Sequence, residues 1–196
     1  MLLDPLPCAT YAFVMSITPG PNNVMLTAAG ANFGLRRTVP HILGISCGFG
    51  AQVAAVCSGL GIVFTRWPQL HLALKWVGAA YLLYLGWQML RARSAHTGGA
   101  GKPITFLEAA AFQFLNPKAW VISLTAATLF LPPQLGQVLA SGYVATIVTA
   151  VNLPCITAWA LFGSSLGLVL ARPAPRRIFN WVMAAALAVT GVMMVA

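Results

Sequence analysis

Long apolar stretches separated by short, mostly basic connections occupy the whole chain. Six can be drawn, at Pro5–Ala31, His41–Phe64, Leu70–Leu90, Thr105–Leu131, Gln137–Leu170 and Ile178–Ala196. About 20 apolar residues in an α-helix cross a hydrocarbon core of roughly 30 Å, so the pattern predicts an all-α membrane protein of six transmembrane helices. Nothing sizeable lies outside the six runs. The whole of residues 1–196 reads as one transmembrane domain, and any activity has to sit among the helices. Met1-Leu2-Leu3-Asp4 lacks the basic start of a cleavable signal peptide, so the first run is expected to remain as helix one.

Composition agrees with lipid as the main solvent. The chain is 59% hydrophobic and 7% charged, against roughly a quarter charged in soluble domains. The net charge of +9 raises nucleic acid as a partner, but the placement of the cations fits membrane orientation instead. Arg36, Arg37, Arg91, Arg93, Lys102, Arg172, Arg176 and Arg177 fall in connections on one side, and Arg66 alone in those on the other. The positive-inside rule then makes the basic connections cytoplasmic and puts both termini of this multi-pass protein outside. Cys8, Cys47, Cys57 and Cys155 form no C-x-x-C pair, so no metal, disulfide or cofactor framework is visible and small packing residues are the plain reading.

Self-comparison adds organisation. Ser58-x-Leu60-Gly61-x-Val63 recurs as Ser164-x-Leu166-Gly167-x-Val169. Trp76-Val77-x-Ala79-Ala80-x-Leu82, with Gly86 and Met89 beyond, recurs as Trp181-Val182-x-Ala184-Ala185-x-Leu187, with Gly191 and Met194 beyond. The two halves, about 1–95 and 103–196, then each hold three helices. An odd number forces the second copy to enter from the opposite side, giving a 3+3 inverted repeat, a transporter architecture whose site lies near the midplane where broken helices face a solute.

Breaks are expected in runs one and four. In Thr18-Pro19-Gly20-Pro21-Asn22-Asn23 the two prolines remove donors and Gly20 permits positive φ. Such a break survives in lipid only against protein or a wet cavity. The chain after Pro21 can restart as a half-helix with Asn22 or Asn23 near its cap, its positive end suited to a carboxylate; a kink used only for packing is the alternative. Run four breaks at Asn116-Pro117, with Lys118 next. A lysine at that depth either faces a cavity as a counter-charge or proton-linked group, or snorkels to an interface if the run begins later. Gln113 and Asn152 are amides at depth suited to a solute, and Gln52 one suited to bonding helix to helix. Glu108, one of only two acidic residues, either carries a coupling proton or is an ordinary interfacial carboxylate. Asn152-Leu153-Pro154 marks a further kink. Gly44, Gly48, Gly59, Gly61, Gly78 and Gly86 read as close-packing positions, Trp67 and Trp87 as interfacial anchors, and none of the three histidines has an evident site role.

The chain resembles the LysE/RhtB family of bacterial amino-acid exporters nearly end to end. The resemblance rests on Thr18–Asn23, Gly34-Leu35-Arg36, Gly44-x3-Gly48, Gly78-Ala79-Ala80-Tyr81-Leu82 and Phe112-x-Phe114-Leu115-Asn116-Pro117-Lys118-Ala119. Lys102-Pro103-Ile104-Thr105-Phe106 and Leu131-Pro132-Pro133-Gln134 are most similar to the cysteine and O-acetylserine exporter branch. Val39 and Ala184 depart from the usual pattern where glycine is common. The resemblance implies efflux of neutral or basic amino acids or related metabolites by proton exchange, with no enzyme activity. It makes an amino acid, the proton and the lipid bilayer the partners, excludes nucleic acid, and leaves a homo-oligomer open. A membrane thiol oxidoreductase would need two cysteines able to meet, and a metal exporter would need ligands in the runs.

Overall fold

The computed structural model describes residues 4–91, 102–167 and 169–195, and all regular structure among them is helical. The first run is two helices, α1 (Leu6–Ile17) and α2 (Pro21–Phe33). The second is α3 (Leu35–Ala55), continued by a π-helical turn at Val56–Leu60 into the short α4 (Gly61–Arg66). The third is α5 (Pro68–Arg91). The fourth is again two helices, α6 (Phe106–Gln113) and α7 (Pro117–Leu129). The fifth is α8 (Gln137–Ser165). After a 3-10 turn at Val169–Ala171, α9 (Pro173–Val195) is the sixth.

Three boundaries and two local features differ from expectation. Helix α3 begins six residues before His41, because Gly34 at φ 75° turns the chain directly out of α2 and the helix then carries Pro40 within it. Arg36 and Arg37 therefore lie on its first turn rather than in a loop. Helix α9 begins at Pro173, where the missing N–H costs nothing. Helix α8 ends at Ser165, before Leu170, and passes through Pro154 without ending. Gly59 is not a packing glycine: its φ of 112° interrupts the π-helical turn, and an added Cβ would meet only Ile62 at 3.9 Å.

The helices interlock across the two halves. Helices α1 and α2 lean on α8, α6 leans on α3, α3 packs on α8, and α5 packs on α9. Between helices in lipid the driving force is close packing rather than burial, which favours small residues at contacts. A side chain at Gly30 of α2 would run into the backbone of Ala160, and one at Gly163 of α8 into that of Thr27. Gly44 and Gly48 of α3 meet Phe106 and Ala110 of α6 in the same way. Fully buried side chains, Leu26, Ile45, Val53, Val144, Val148 and Ile156, fill the remaining interior.

Helices α5 and α9 match residue for residue. Trp76 and Trp181 are each 57% exposed, Val77 and Val182 each 54%, and Leu82 and Leu187 each 0%. Gly86 packs on Ala184, and Gly191 packs on Ala79, the partners of each other at the same spacing. The long helices preceding them end at corresponding places, Leu60 and Ser165.

The exterior is apolar, with large side chains such as Phe13, Trp76, Phe162 and Trp181 exposed on it. Among the described residues two continuous stretches are long and apolar enough to cross a membrane, Leu35–Leu60 with mean hydropathy 1.5 and Gln137–Ser165 with 1.7. Helices α1, α2, α6 and α7 are too short individually, as the breaks require. Trp67 is 66% and Trp87 48% exposed, and the Arg91 guanidinium lies 4.0 Å over the Trp87 ring.

Candidate functional site

The two breaks face each other. The N-terminus of α2 after Gly20 and the N-terminus of α7 after Asn116 border one cavity, closed by Ser16 of α1, Phe49 of α3, Ile122 of α7, and Asn152 and Ile156 of α8. Gly20, Pro21, Asn22, Asn23, Asn116, Lys118 and Asn152 all line it, so seven residues expected at the site meet there. Pro19, Gln113 and Pro117 are beside it without lining it. Glu108 is elsewhere.

Lys118 governs the cavity. Its ammonium donates to Thr18 O (2.7 Å), Thr18 Oγ1 (2.9 Å) and Pro19 O (3.2 Å), which uses all three of its protons. Thr18 caps the C-terminus of α1 and Pro19 follows it, so the ammonium sits just past the negative end of that helix. Lys118 therefore bonds across the breaks. Gly20 makes the approach possible: its backbone is extended, at φ −171° and ψ 176°, so positive φ is not the reason for glycine. A Cβ there would meet Lys118 Cδ at 2.8 Å and Nζ at 3.2 Å.

Other groups at the first break are tied by neighbouring side chains. Asn23 Nδ2 donates to Ser16 O (2.9 Å) and Thr18 O (2.8 Å), while Trp159 Nε1 reaches Ile17 O (3.2 Å). Thr18 N returns to Val14 O, and Val24 N closes on Gly20 O. Asn22 and Asn23 do not cap α2; Gly20 occupies the cap position and no side chain serves it. Instead Asn22 pairs with Gln113, Nδ2 donating to Oε1 at 2.8 Å and Gln113 Nε2 donating to Asn22 Oδ1 at 3.2 Å.

The second break is built from its own chain. Phe114, Leu115 and Asn116 donate their N–H groups to the carbonyls of Ala111, Phe112 and Gln113, and Asn116 Oδ1 accepts from Lys118 N at 3.1 Å as the cap of α7. Trp120 Nε1 donates to Phe114 O (2.8 Å). An amide of each long helix braces the break in the opposite half: Gln52 Nε2 bonds Gln113 O (3.1 Å), and Asn152 Nδ2 bonds Ser16 Oγ (3.0 Å). Asn152 Oδ1 is buried with no partner.

The free space is about 30 Å³, room for one or two waters. Glu108 completes a capping box at the start of α6, its carboxylate accepting from Thr105 N and Thr105 Oγ1, both at 2.8 Å.

Several residues escaped the sequence reading. Ser16 and Thr18 carry no distinguishing signal beyond being hydroxyls beside a break, and Trp159 reads as one more aromatic in an apolar run. His41 is completely buried inside α3 with both ring nitrogens unpartnered, not at a run end. Cys8 and Cys57, far apart in sequence, share one core cluster, and both are free thiols.

Comparison with known proteins gives one consistent result. A cysteine/O-acetylserine efflux protein of Klebsiella pneumoniae is 30% identical over 182 residues, 91% of this chain and 90% of that one. Proteins of the same description from Salmonella choleraesuis and Escherichia coli K12 are 33% identical over 126 and 127 residues, 64% of each chain. No solved structure matches significantly. The family model described as LysE type translocator matches residues 13–196, and with its broken apolar helices meeting at a polar cavity, the chain belongs to that family of membrane translocators.

Proposed function

We propose that this protein is a secondary exporter of a small zwitterionic amino acid, cysteine or O-acetylserine in type, and that the cavity between the two breaks is its substrate site. One observation carries the reading: an ammonium contributed by α7 is held by the Thr18 and Pro19 carbonyls of the first break, beside a cavity lined from both halves of the chain. An amino acid carries the same two partners on one molecule. Its carboxylate replaces the carbonyls as the partner of Lys118 and also faces the positive start of α2 after Pro21. Its own ammonium takes over the carbonyls of Thr18 and Pro19, with Asn152 Oδ1 as a further acceptor. The exchange gives the Lys118 ammonium and the Thr18 and Pro19 carbonyls new partners, which offsets the cost of parting them.

The equal exposures of the α5 and α9 pairs, the crossed glycine contacts and the matching helix ends support a 3+3 inverted repeat with six spans. Alternating access then follows from rocking one half against the other about the fixed site. The basic connections support cytoplasmic loops and external termini in the inner membrane. Proton exchange has one candidate carrier in the cavity, Lys118, since losing its proton would free the Thr18 and Pro19 carbonyls; Glu108 is engaged at the α6 cap, outside the cavity.

Inside-out vesicles offered a panel of labelled amino acids in the outer medium, under an imposed proton gradient, test this. Accumulation of cysteine or O-acetylserine that collapses with the gradient is expected, and no gradient-dependent accumulation of any amino acid would overturn it. The shared cluster of Cys8 and Cys57 is the one feature that favours a thiol oxidoreductase. Replacing all four cysteines separates the readings, because transport should persist. The same cysteine-free background serves topology: single cysteines at Met1 and Ala196 should react with an impermeant reagent from outside, and one at Thr97 only after permeabilisation.

A further inference from the structure

We infer that a second amino-acid site, a loading site for the zwitterion, lies outside the cavity between α5 and the start of α6. It rests on the exporter reading above. The recess offers about 300 Å³ of free space and is lined by Tyr81, Tyr84, Gln88, Lys102, Thr105 and Glu108. In a chain with only two acidic residues, one of them lines the same recess as a lysine six positions earlier. The two are not ion-paired with each other, so both charges face the recess uncommitted to one another. The capping bonds of Glu108 all use Oε2, leaving Oε1 available. A cation, an anion, two phenol hydroxyls and an amide around a space of that size complement one α-amino acid: carboxylate to Lys102, ammonium to Glu108.

Position supports the assignment. Leu85, Gln88, Lys102 and Ile104 also line an adjoining recess of about 70 Å³ that follows α2 inward as far as Met25, within one turn of Asn22. Met25, packed with Leu82, Phe112 and Leu187, and the Asn22–Gln113 amide pair then stand between the recess and the central cavity. Lys102 and Arg91 belong to the basic side, which the charge distribution makes the cytoplasmic side, where an exporter collects its cargo. The site also gives a physical role to Lys102–Phe106, a segment that the central cavity leaves unused.

The test is the concentration dependence of O-acetylserine uptake by inside-out vesicles for the wild type, Lys102→Gln and Glu108→Gln. Glutamine at the third position of a capping box keeps the cap, so Glu108→Gln removes charge without unwinding α6. Each substitution is expected to raise the half-saturating concentration about tenfold, the loss of one charge-assisted contact, while the maximal rate changes less than about twofold. Competition by half-ligands adds a readout that a structural role would not move. Lys102→Gln should lose its preference for the zwitterion over cysteamine, which lacks the carboxylate, and Glu108→Gln its preference over 3-mercaptopropionate, which lacks the amine. Half-saturation within twofold of wild type in either variant, or unchanged half-ligand discrimination, overturns the loading site and leaves the exporter reading standing. Absence of gradient-dependent uptake by wild-type vesicles overturns the exporter reading itself.

Discussion

The two breaks look alike in sequence and are held in opposite ways. The second is closed mostly by its own chain: three consecutive turn bonds, an asparagine cap and a tryptophan within residues 111–120 satisfy most of it, with Gln52 and Asn22 holding Gln113 from outside. The first depends on other helices. Its carbonyls are taken by Lys118 from α7 and Trp159 from α8, with Asn23 of α2 tying α1 to its continuation. A locally closed break keeps its shape whatever moves around it, whereas one closed by long-range partners changes when those partners shift. The second break thus supplies a rigid arm carrying the ammonium, and the first an adjustable seat for it.

The largest effect is expected from removing the adjustable seat. Pro19→Ala with Pro21→Ala restores both N–H donors and favours a continuous helix, and export should fall at least about 100-fold at matched membrane abundance, as measured by initial rates. Pro117→Ala should cost less than about threefold, because proline at the first helical position removes no bond and the Asn116 cap persists. Equal losses at the two sites would erase the distinction between the breaks.

A smaller effect sharpens it. Gly20→Ala places a methyl 2.8 Å from Lys118 Cδ, which displaces the ammonium from the carbonyls without changing any charge. Export should drop about tenfold, one lost charged contact in size. Wild-type rates would mean that the ammonium does not need the seat. The smallest effect is on stability: Asn116→Ala removes the α7 cap, worth about 1 kcal/mol, and should lower the thermal unfolding midpoint of the detergent-solubilised protein by a few degrees.

Much of this was legible in the sequence because the residues that break helices are few and chemically distinct. Proline, glycine and asparagine within apolar runs located both interruptions to within a residue or two, and a lone lysine in a run pointed to the cavity. Tryptophan, glycine and alanine recur at nearly constant spacing in the two halves, and the equal exposures of Trp76 and Trp181 follow that register. What escaped depends on distance. Nothing local says that Lys118 chooses Thr18 and Pro19 over a solute, since the partners lie about 100 residues away in sequence. Helix starts beside basic residues were drawn late, because hydropathy falls before the helix does. His41 consequently passed for an end residue although it is buried in α3. Gly20 was assigned by its conformational freedom, while its use is the space it leaves.

The central claim is that the Lys118 ammonium is the group a solute must take from the Thr18 and Pro19 carbonyls. The direct measurement is O-acetylserine export by wild type, Lys118→Met and Lys118→Arg at matched membrane abundance. Methionine keeps most of the stem without the charge and should leave a folded protein whose export falls about 100-fold. Arginine keeps the charge with a planar head that fits three convergent oxygens poorly, and should fall between the two. Equal export by all three proteins would contradict the account and remove Lys118 from the site.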